Sequence, residues 1–405
     1  MRSFFDADKY KTKKKTPTLS RCGECGLSKG CHSPKMKVTG KGKKRILIIA
    51  EAPGREEDER GEQLIGDAGR TIRKVLKKYG IDIDRDCWKT NAVICRPPKN
   101  RKPKDKEIAA CRPNLVKTIK KLKPCVIIPL GSVAVNSLLP IMWKEGENAS
   151  IGRWQGWEIP CQTLNTWICP TYHPSYLNRT HDPVAESLFR RHIKRAVAKK
   201  KKPWSDVKPP DYKNRTELIF KPSKAIKAIK SLTKECRNAM AFDYETNCLK
   251  PEVKGSYIAS CSICFDGDNT IAFPWTKRIA EVMADVLTSP IPKIGACIKF
   301  EERWTWNKLG VHVNGWEWDT VIAAHVIDNR PLITSVKFQS FVLLGTPHYT
   351  ESVDGYLSCP PGELNRIDDI PLKDLLLYNG IDSDVEYAIA IKQMARMKKQ
   401  IGSKG

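Results

Sequence analysis

The run Arg45-Ile-Leu-Ile-Ile-Ala50 has no polar interruption after its first residue. A stretch that short, apolar at odd and even positions alike, reads as a strand buried on both faces, the signature of a parallel sheet. Residues 88–94, 125–130 and 167–170 read as further strands. Helical periodicity covers 66–79, a segment from about 105 that carries Cys111, 131–139 and 183–199. Asp67 and the pair Gly131-Ser132 are expected to cap their helices. Residues 55–61, Arg-Glu-Glu-Asp-Glu-Arg-Gly, read as a charged loop. Strand and helix alternate, so this half predicts an α/β fold on a parallel sheet. Ligands of such sheets sit beyond the strand carboxyl ends, here Glu51-Ala-Pro-Gly54 and residues 171–176.

The lysines at 199–202 with Pro203, Pro209 and Pro210 make an extended linker. The expected organisation is a basic tail over 1–20, a first domain over 21–198, a linker over 199–216 and a second domain over 217–405. Across 405 residues, 71 Lys and Arg face 45 Asp and Glu, a net charge of +26. Such an excess points to a polyanion, nucleic acid first. No apolar run approaches about 18 residues, which argues against a membrane span, and the N-terminus has no apolar signal core. The expected compartment is the cytoplasm. There the 15 cysteines serve as thiols or metal ligands rather than disulfides.

The second half changes pattern. A helix over 222–234 precedes a strand over 239–246, with strands at 256–265 and 270–273 pairing beside it. Further helices are expected at 278–287, 301–309, 319–327, 335–344 and 372–398, with a short strand at 293–296. Asp243 and Glu245 are two apart on the 239–246 strand and so share a face. A hard divalent cation is the natural partner of two convergent carboxylates. Glu301 opens a helix, and Tyr378 and Asp382 stand four apart on another, facing the same way. Asp243, Glu245, Glu301 and Asp382 could hold two Mg²⁺ or Mn²⁺ ions roughly 3.5–4 Å apart, the spacing that clamps attacking and leaving oxygens, while Tyr378 orients the water. Trp304, Trp306, Trp316 and Trp318 could stack on single-stranded bases or fill the core. Cys261 and Cys264 fall on opposite strand faces, which favours core over a metal knuckle.

Cys22 and Cys25 form a C-x2-C loop, and Cys95 and Cys111 each precede Arg-Pro. Four thiolates suit zinc or an iron–sulfur cluster, and spacing alone leaves both open. Cys31 reads as a bystander. Cys22-Gly-Glu-Cys25, Glu51-Ala-Pro-Gly54, Thr90-Asn91-Ala-Val-Ile-Cys95-Arg-Pro-Pro, Ala110-Cys111-Arg-Pro, Pro129-Leu-Gly-Ser and Thr171-Tyr-His173-Pro-Ser together resemble the family 4 uracil-DNA glycosylases over about residues 20–198. The resemblance implies a three-layer α/β/α fold and a structural [4Fe–4S] cluster on Cys22, Cys25, Cys95 and Cys111. It implies that Glu51 assists water attack on the sugar, Asn91 reads the base edge and His173 stabilises charge on the departing uracil. Ala50 stands where the family has Gly. Leu64 stands where it has an aromatic that stacks on the base, and offers apolar contact without a π face.

The second half resembles the 3′–5′ proofreading exonuclease domains of family A DNA polymerases, of the Asp-Glu-Asp-Asp-Tyr type with an RNase H-like fold. The matching motifs are Phe242-Asp-Tyr-Glu-Thr246, Gly295-Ala-Cys-Ile-Lys-Phe-Glu301 and Tyr378-Asn-Gly-Ile-Asp382-Ser-Asp384, with Cys297 and Glu301 in the usual Asn and Asp places. Asp319 matches a helix start and reads as an N-cap. The expected protein is a DNA-processing fusion acting in replication or repair on single strands or 3′ ends. A polymerase is expected as a separate partner, and a virus of bacteria (hence its host's cytoplasm) would suit the architecture. The alternative is a catalytically silent first half that tethers the nuclease to DNA.

Overall fold

The structure is a computed structural model that describes residues 22–144 and 146–402; the basic tail expected over 1–20 lies outside them. The chain divides into two compact α/β units, residues 1–207 and 208–405. Among the described residues no helix is long and apolar enough to cross a membrane.

The first unit is built on β1 (Ile46–Ala50), β2 (Cys87–Asn91), β3 (Val126–Pro129), β4 (Ile159–Cys161) and β5 (Thr166–Ile168), in the order β2-β1-β3-β5-β4. Four strands are parallel, as expected, but β4 runs antiparallel to β5 at the edge, which makes the sheet mixed. Three residues holding a proline gave β4 no readable period. The helices are α1 (Arg55–Arg60), α2 (Asp67–Lys77), α3 (Ile83–Asp86), α4 (Asp105–Leu122), α5 (Gly131–Met142), α6 (Ile151–Trp154), α7 (Pro174–Thr180) and α8 (Pro183–Val197). Ile46 and Ile48 pack with Ile72 and Leu76 of α2 and Phe189 and Ile193 of α8. Leu47 and Ile49 are equally buried on the opposite face, where α5 meets β1 and α4. This is the three-layer α/β/α arrangement.

Two expected caps are corrected. Gly66 is the N-cap of α2, with Asp67 the first helical residue. Leu130 precedes α5 without a side-chain cap, so neither Gly131 nor Ser132 caps it. The charged stretch 55–60 is helix rather than loop, with three acids in its first turn complementing the helix dipole. Two of its acids are buried anchors. Glu57 accepts N–H bonds from Gly54 (3.1 Å), Ile65 (3.1 Å) and Gly66 (2.8 Å). Asp58 accepts from His32 (3.2 Å) and Ser33 (2.9 Å) and pairs with Arg96 (3.8 Å).

The second unit holds α9 (Tyr212–Arg215), β6 (Thr216–Leu218), α10 (Pro222–Glu235), β7 (Met240–Thr246), β8 (Ile258–Phe265), β9 (Asn269–Pro274), α11 (Lys277–Thr288), β10 (Lys293–Gly295), α12 (Ile298–Leu309), β11 (Trp316–Asp319), α13 (Thr320–Ile327), α14 (Val336–Leu344) and α15 (Leu372–Gly402). The sheet order is β11-β10-β7-β8-β9-β6. β7, β8 and β9 form an antiparallel meander, and β10 and β11 add in parallel on the other side of β7, an RNase H-like sheet. α9 and β6 begin inside the stretch expected as linker. β6 pairs with β9 and, like β11, was too short to show a period. Met240, Phe242 and Tyr244 pack with Ile229 of α10, Ile279 and Met283 of α11 and Trp304 of α12. Ala241 packs with Ala390 of α15 on the other face. Asp243 and Glu245 share the parity of Ala241, so period-two geometry sends them toward α15.

Candidate active sites

In the second unit, ligand oxygens of Asp243, Glu245 and Asp382 all lie within 4.8 Å of one another. Two come from β7 and one from α15. Asn379 joins these elements: its Nδ2 donates to Asp243 Oδ2 (2.7 Å) and its Oδ1 accepts from Ser260 Oγ of β8 (3.0 Å). Ser262 Oγ donates to the Asn379 carbonyl (2.7 Å). Asp382 accepts from Lys337 Nζ of α14 (2.6 Å) and from the Tyr349 hydroxyl (2.6 Å).

The electrostatics are those of carboxylates crowded out of water. Burial first, and then the charge of Asp382, push the Asp243 carboxyl up to about 7. Burial and then Asp243 raise Glu245 well above the usual carboxylate range. Like charges this close cannot all ionise without a counter-cation. Burial works against the charge on Lys337, but Asp382 outweighs it and the ammonium is held above its ordinary value.

Glu301 falls outside the group of three. It is buried on α12 with Oε2 unpartnered, and burial followed by the charge of Asp243 raises it strongly. Asp319 caps α13, accepting from Val321 and Ile322 (both 2.9 Å). It also accepts from Cys297 (3.3 Å) and Ile298 (3.0 Å), so it seats the N-terminus of the helix that carries Glu301. Tyr378 is buried beneath Lys337, whose Nζ lies 4.7 Å from the ring centre. Burial and Asp382 push its phenol well above the ordinary value, so it stays protonated. Asp384 belongs to the scaffold, paired with Arg215 (3.2 Å). Trp304 is core, whereas Trp306 is exposed and stacks on His312 (4.4 Å). Cys261 and Cys264 are buried in separate clusters. Lys337, Tyr349 and Asn379 were not singled out by sequence; only the fold brings them here.

In the first unit a cavity of about 890 Å³ opens at the strand carboxyl ends, lined among others by Glu51, Leu64, Asn91 and His173, with Lys102 and Arg179 beside them. Glu51 follows β1, and Asn91 ends β2. Burial raises the Glu51 carboxyl, opposed by Lys102 and Arg179. His173 is the N-cap of α7, a helix that sequence reading missed; its Nδ1 accepts from Ser175 N–H (3.2 Å). The neutral ring therefore carries its proton on Nε2. Burial and then Arg179 pull the imidazole down to about 4. Gly131 has φ +81°, and a Cβ there would meet His173 Cβ at 2.9 Å, which accounts for the glycine in the Pro-Leu-Gly-Ser motif.

Leu64 is buried with φ +55°, a backbone that non-glycine residues rarely adopt. A Cβ on Gly69 would come within 2.1 Å of its carbonyl oxygen. Gln63, overlooked in the sequence, accepts a hydrogen bond from Asn91 Nδ2, while Asn91 Oδ1 is buried without a partner.

None of the fifteen cysteines is joined in a disulfide. Cys95 and Cys111 are buried with Leu27, Ile108 and Val133, and Cys25 and Cys31 pack against them. Cys22 accepts from Asn114 Nδ2 (3.5 Å). Backbone N–H groups of Lys35 and Ile94 point at the sulfurs of Cys95 (3.2 Å) and Cys111 (3.4 Å). Buried sulfurs met by N–H donors fit thiolate ligands of a metal or cluster. Cys31 packs beside these cysteines.

Residues 37–207 match the family described as the uracil DNA glycosylase superfamily. The type-4 uracil-DNA glycosylase of Pyrobaculum aerophilum is 34% identical over 177 residues, 43% of this chain and 87% of the relative. That of Saccharolobus solfataricus is 35% identical over 191 residues, 45% of this chain and 84% of the relative. A DNA polymerase of Bacillus phage SP01 is 33% identical over 103 residues, 25% of this chain and 11% of the polymerase. Among solved structures, Escherichia coli RNase D aligns with a TM-score of 0.36 at 14% identity, covering 45% of each chain. Brucella melitensis NrnC with bound Mg²⁺ aligns with a TM-score of 0.35 at 15% identity, covering 47% of this chain and 84% of its own. Through its first unit, with the Glu51, Asn91 and His173 pocket at the strand ends, the chain belongs to the uracil-DNA glycosylase superfamily.

Proposed function

We propose that the second unit is a metal-dependent 3′–5′ exonuclease on DNA and that the first unit flips and excises uracil. The observation that carries the first part is the approach of Asp243, Glu245 and Asp382 to within 4.8 Å of one another in a chain of net charge +26. Those three, with Glu301 beside them, are the residues to hold two Mg²⁺ or Mn²⁺ ions. Bound divalent cations supply Lewis-acid polarisation and an activated water. Asn379 fixes the Asp243 carboxylate. Tyr378 stays a neutral phenol, so its role is to orient the nucleophile, not to deprotonate it. Lys337 holds the Asp382 carboxylate in place at 2.6 Å.

In the first unit, Arg55, Lys99, Lys102 and Arg179 border the cavity and suit backbone phosphates. The flipped base meets Asn91 Oδ1, an open acceptor for its imide N–H. The Nε2–H of neutral His173 donates where negative charge develops on the leaving base. Glu51 steadies the sugar's positive charge and aligns water. The four thiols Cys22, Cys25, Cys95 and Cys111 are assigned to a [4Fe–4S] cluster that ties together the loops bordering the cavity. Two type-4 uracil-DNA glycosylases among the relatives support this reading. The phage polymerase relative is in keeping with a role in DNA replication; a cytoplasmic setting and a separate polymerase as partner are part of the proposal.

A second reading keeps the first unit as a silent DNA-binding module. Leu64 without a π face favours it. One assay separates the possibilities. A 5′-labelled single strand carrying one uracil is incubated with Mg²⁺, or in EDTA with a blocked 3′ end. The proposal expects 3′ shortening with metal, lost in Asp243→Ala, and an alkali-labile break at uracil, lost in Glu51→Ala. Tight binding without that break selects the module. Shortening that survives in Asp243→Ala removes the nuclease assignment.

A further inference from the structure

Glu386 stands one helical turn beyond Asp382 on α15 and exposes 2% of its surface. Its Oε2 has no hydrogen-bond partner. Its neighbours on the helix say where it lies. Asn379 reaches Asp243 on β7 (2.7 Å). Gln393 accepts from Trp318 Nε1 on β11 (2.9 Å) and donates to the Thr320 carbonyl at the start of α13 (2.9 Å). Residues 379, 382, 386 and 393 fall on one stripe of the helix. Glu386 is thus placed between β7 and β11, over β10, on which α15 packs and which leads into α12 and Glu301. Burial raises its carboxyl strongly, followed by the charges of Asp243, Asp382 and Glu301, in keeping with that position.

Glu301 is the other orphan there, 2% exposed with Oε2 unpartnered. Two buried carboxylates, each with a bare oxygen, thus stand outside the group of Asp243, Glu245 and Asp382 but on elements packed around it, α15 on β7 and β10 and α12 on β10. A buried carboxylate without a partner demands a counter-charge. The ammonium of Lys337 is committed to Asp382 at 2.6 Å. Asp243, Glu245, Glu301 and Asp382 alone would balance two divalent cations. Glu386 and Lys337 add one charge of each sign, and the balance is kept.

Resting on the reading of this site as a divalent-cation centre, we infer that Glu386 is a fifth carboxylate of that centre, facing the cation between Asp243 and Glu301, with Lys337 as its compensating charge. Removing the carboxylate weakens the cation, and removing the ammonium strengthens it.

The test is calorimetric titration of Mn²⁺ into the full chain, with Asp243→Asn as the baseline for unrelated sites. Glu386→Gln is expected to lower affinity about 10–100-fold, the range for groups that support a metal's ligands. In EDTA the same variant is expected to unfold at a temperature equal to or above wild type, since a buried carboxyl with an unpartnered oxygen is gone. Lys337→Met keeps the test open should Glu386→Gln fail to fold, and is expected to bind Mn²⁺ several-fold more tightly. Wild-type affinity in Glu386→Gln, or weaker binding in Lys337→Met, overturns the inference while leaving the cation centre standing. Failure of wild-type protein to bind Mn²⁺ above the Asp243→Asn baseline overturns both.

Discussion

His173 gives the first unit a pH signature that can be read without any substrate. Its imidazole is pulled from an ordinary 6.5 to about 4, by burial first and Arg179 second. The unfolded chain therefore takes up a proton below pH 6.5 that the folded chain refuses until about pH 4. A depressed histidine contributes stability that is complete above the unfolded value and is lost as pH falls toward the folded one. At roughly 1.4 kcal/mol per unit, the full loss is about 3 kcal/mol. Between pH 7 and pH 5 it is about 2 kcal/mol. His173→Asn removes this titration and nothing else of that sign at the position. Urea unfolding of both proteins at pH 7, 6 and 5 should show wild type losing about 2 kcal/mol more than the variant over that span. The same argument predicts that uracil excision shows no inflection near pH 6.5 assignable to His173, because the neutral ring is the working form. Parallel stability curves, or an excision rate that falls as His173 deprotonates near 6.5, would refute the neutral-donor account.

Three further outcomes follow from single contacts. Leu64→Phe restores a π face to the cavity, and base–aromatic stacking of about 1–3 kcal/mol should raise single-turnover uracil excision about tenfold or more. Asn379→Ala removes the 2.7 Å bond to Asp243 Oδ2 and should weaken Mn²⁺ binding about 10–100-fold while the far-UV spectrum is kept. Gly380→Ala would set a Cβ 2.2 Å from Thr216 Cγ2 and 3.3 Å from Ala272 Cβ. Overpacking of α15 against β6 and β9 should cost about 1–3 kcal/mol, measurable as a lowered urea midpoint.

The elements that sequence reading found are those whose side chains repeat. Ile46–Ala50 and Met240–Thr246 are apolar enough to declare themselves, and α15 is long enough to show its period. β4, β6 and β11 have three or four residues each, too few for alternation to stand out. α1 was hidden because a charged run normally marks solvated chain, whereas Glu57 and Asp58 are buried to hold two loops. Among site residues, Asp243, Glu245 and Asp382 were legible because period two on a strand and the Tyr-x3-Asp spacing on a helix both encode a shared face. Lys337, Tyr349 and Glu386 were not, since their roles come from tertiary register across α14, α15 and β7. Gln63 was passed over for the same reason: its meaning lies in a bond to Asn91, distant in the chain.

The claim on which most depends is that β7 and α15 together make one cation centre. Electron paramagnetic resonance of Mn²⁺-loaded protein addresses it directly. The account predicts two bound, spin-coupled Mn²⁺ ions per chain in wild type, and loss of the coupled signal in both Asp243→Asn and Asp382→Asn. Isolated Mn²⁺ ions only, or a coupled pair that persists in either variant, would contradict it.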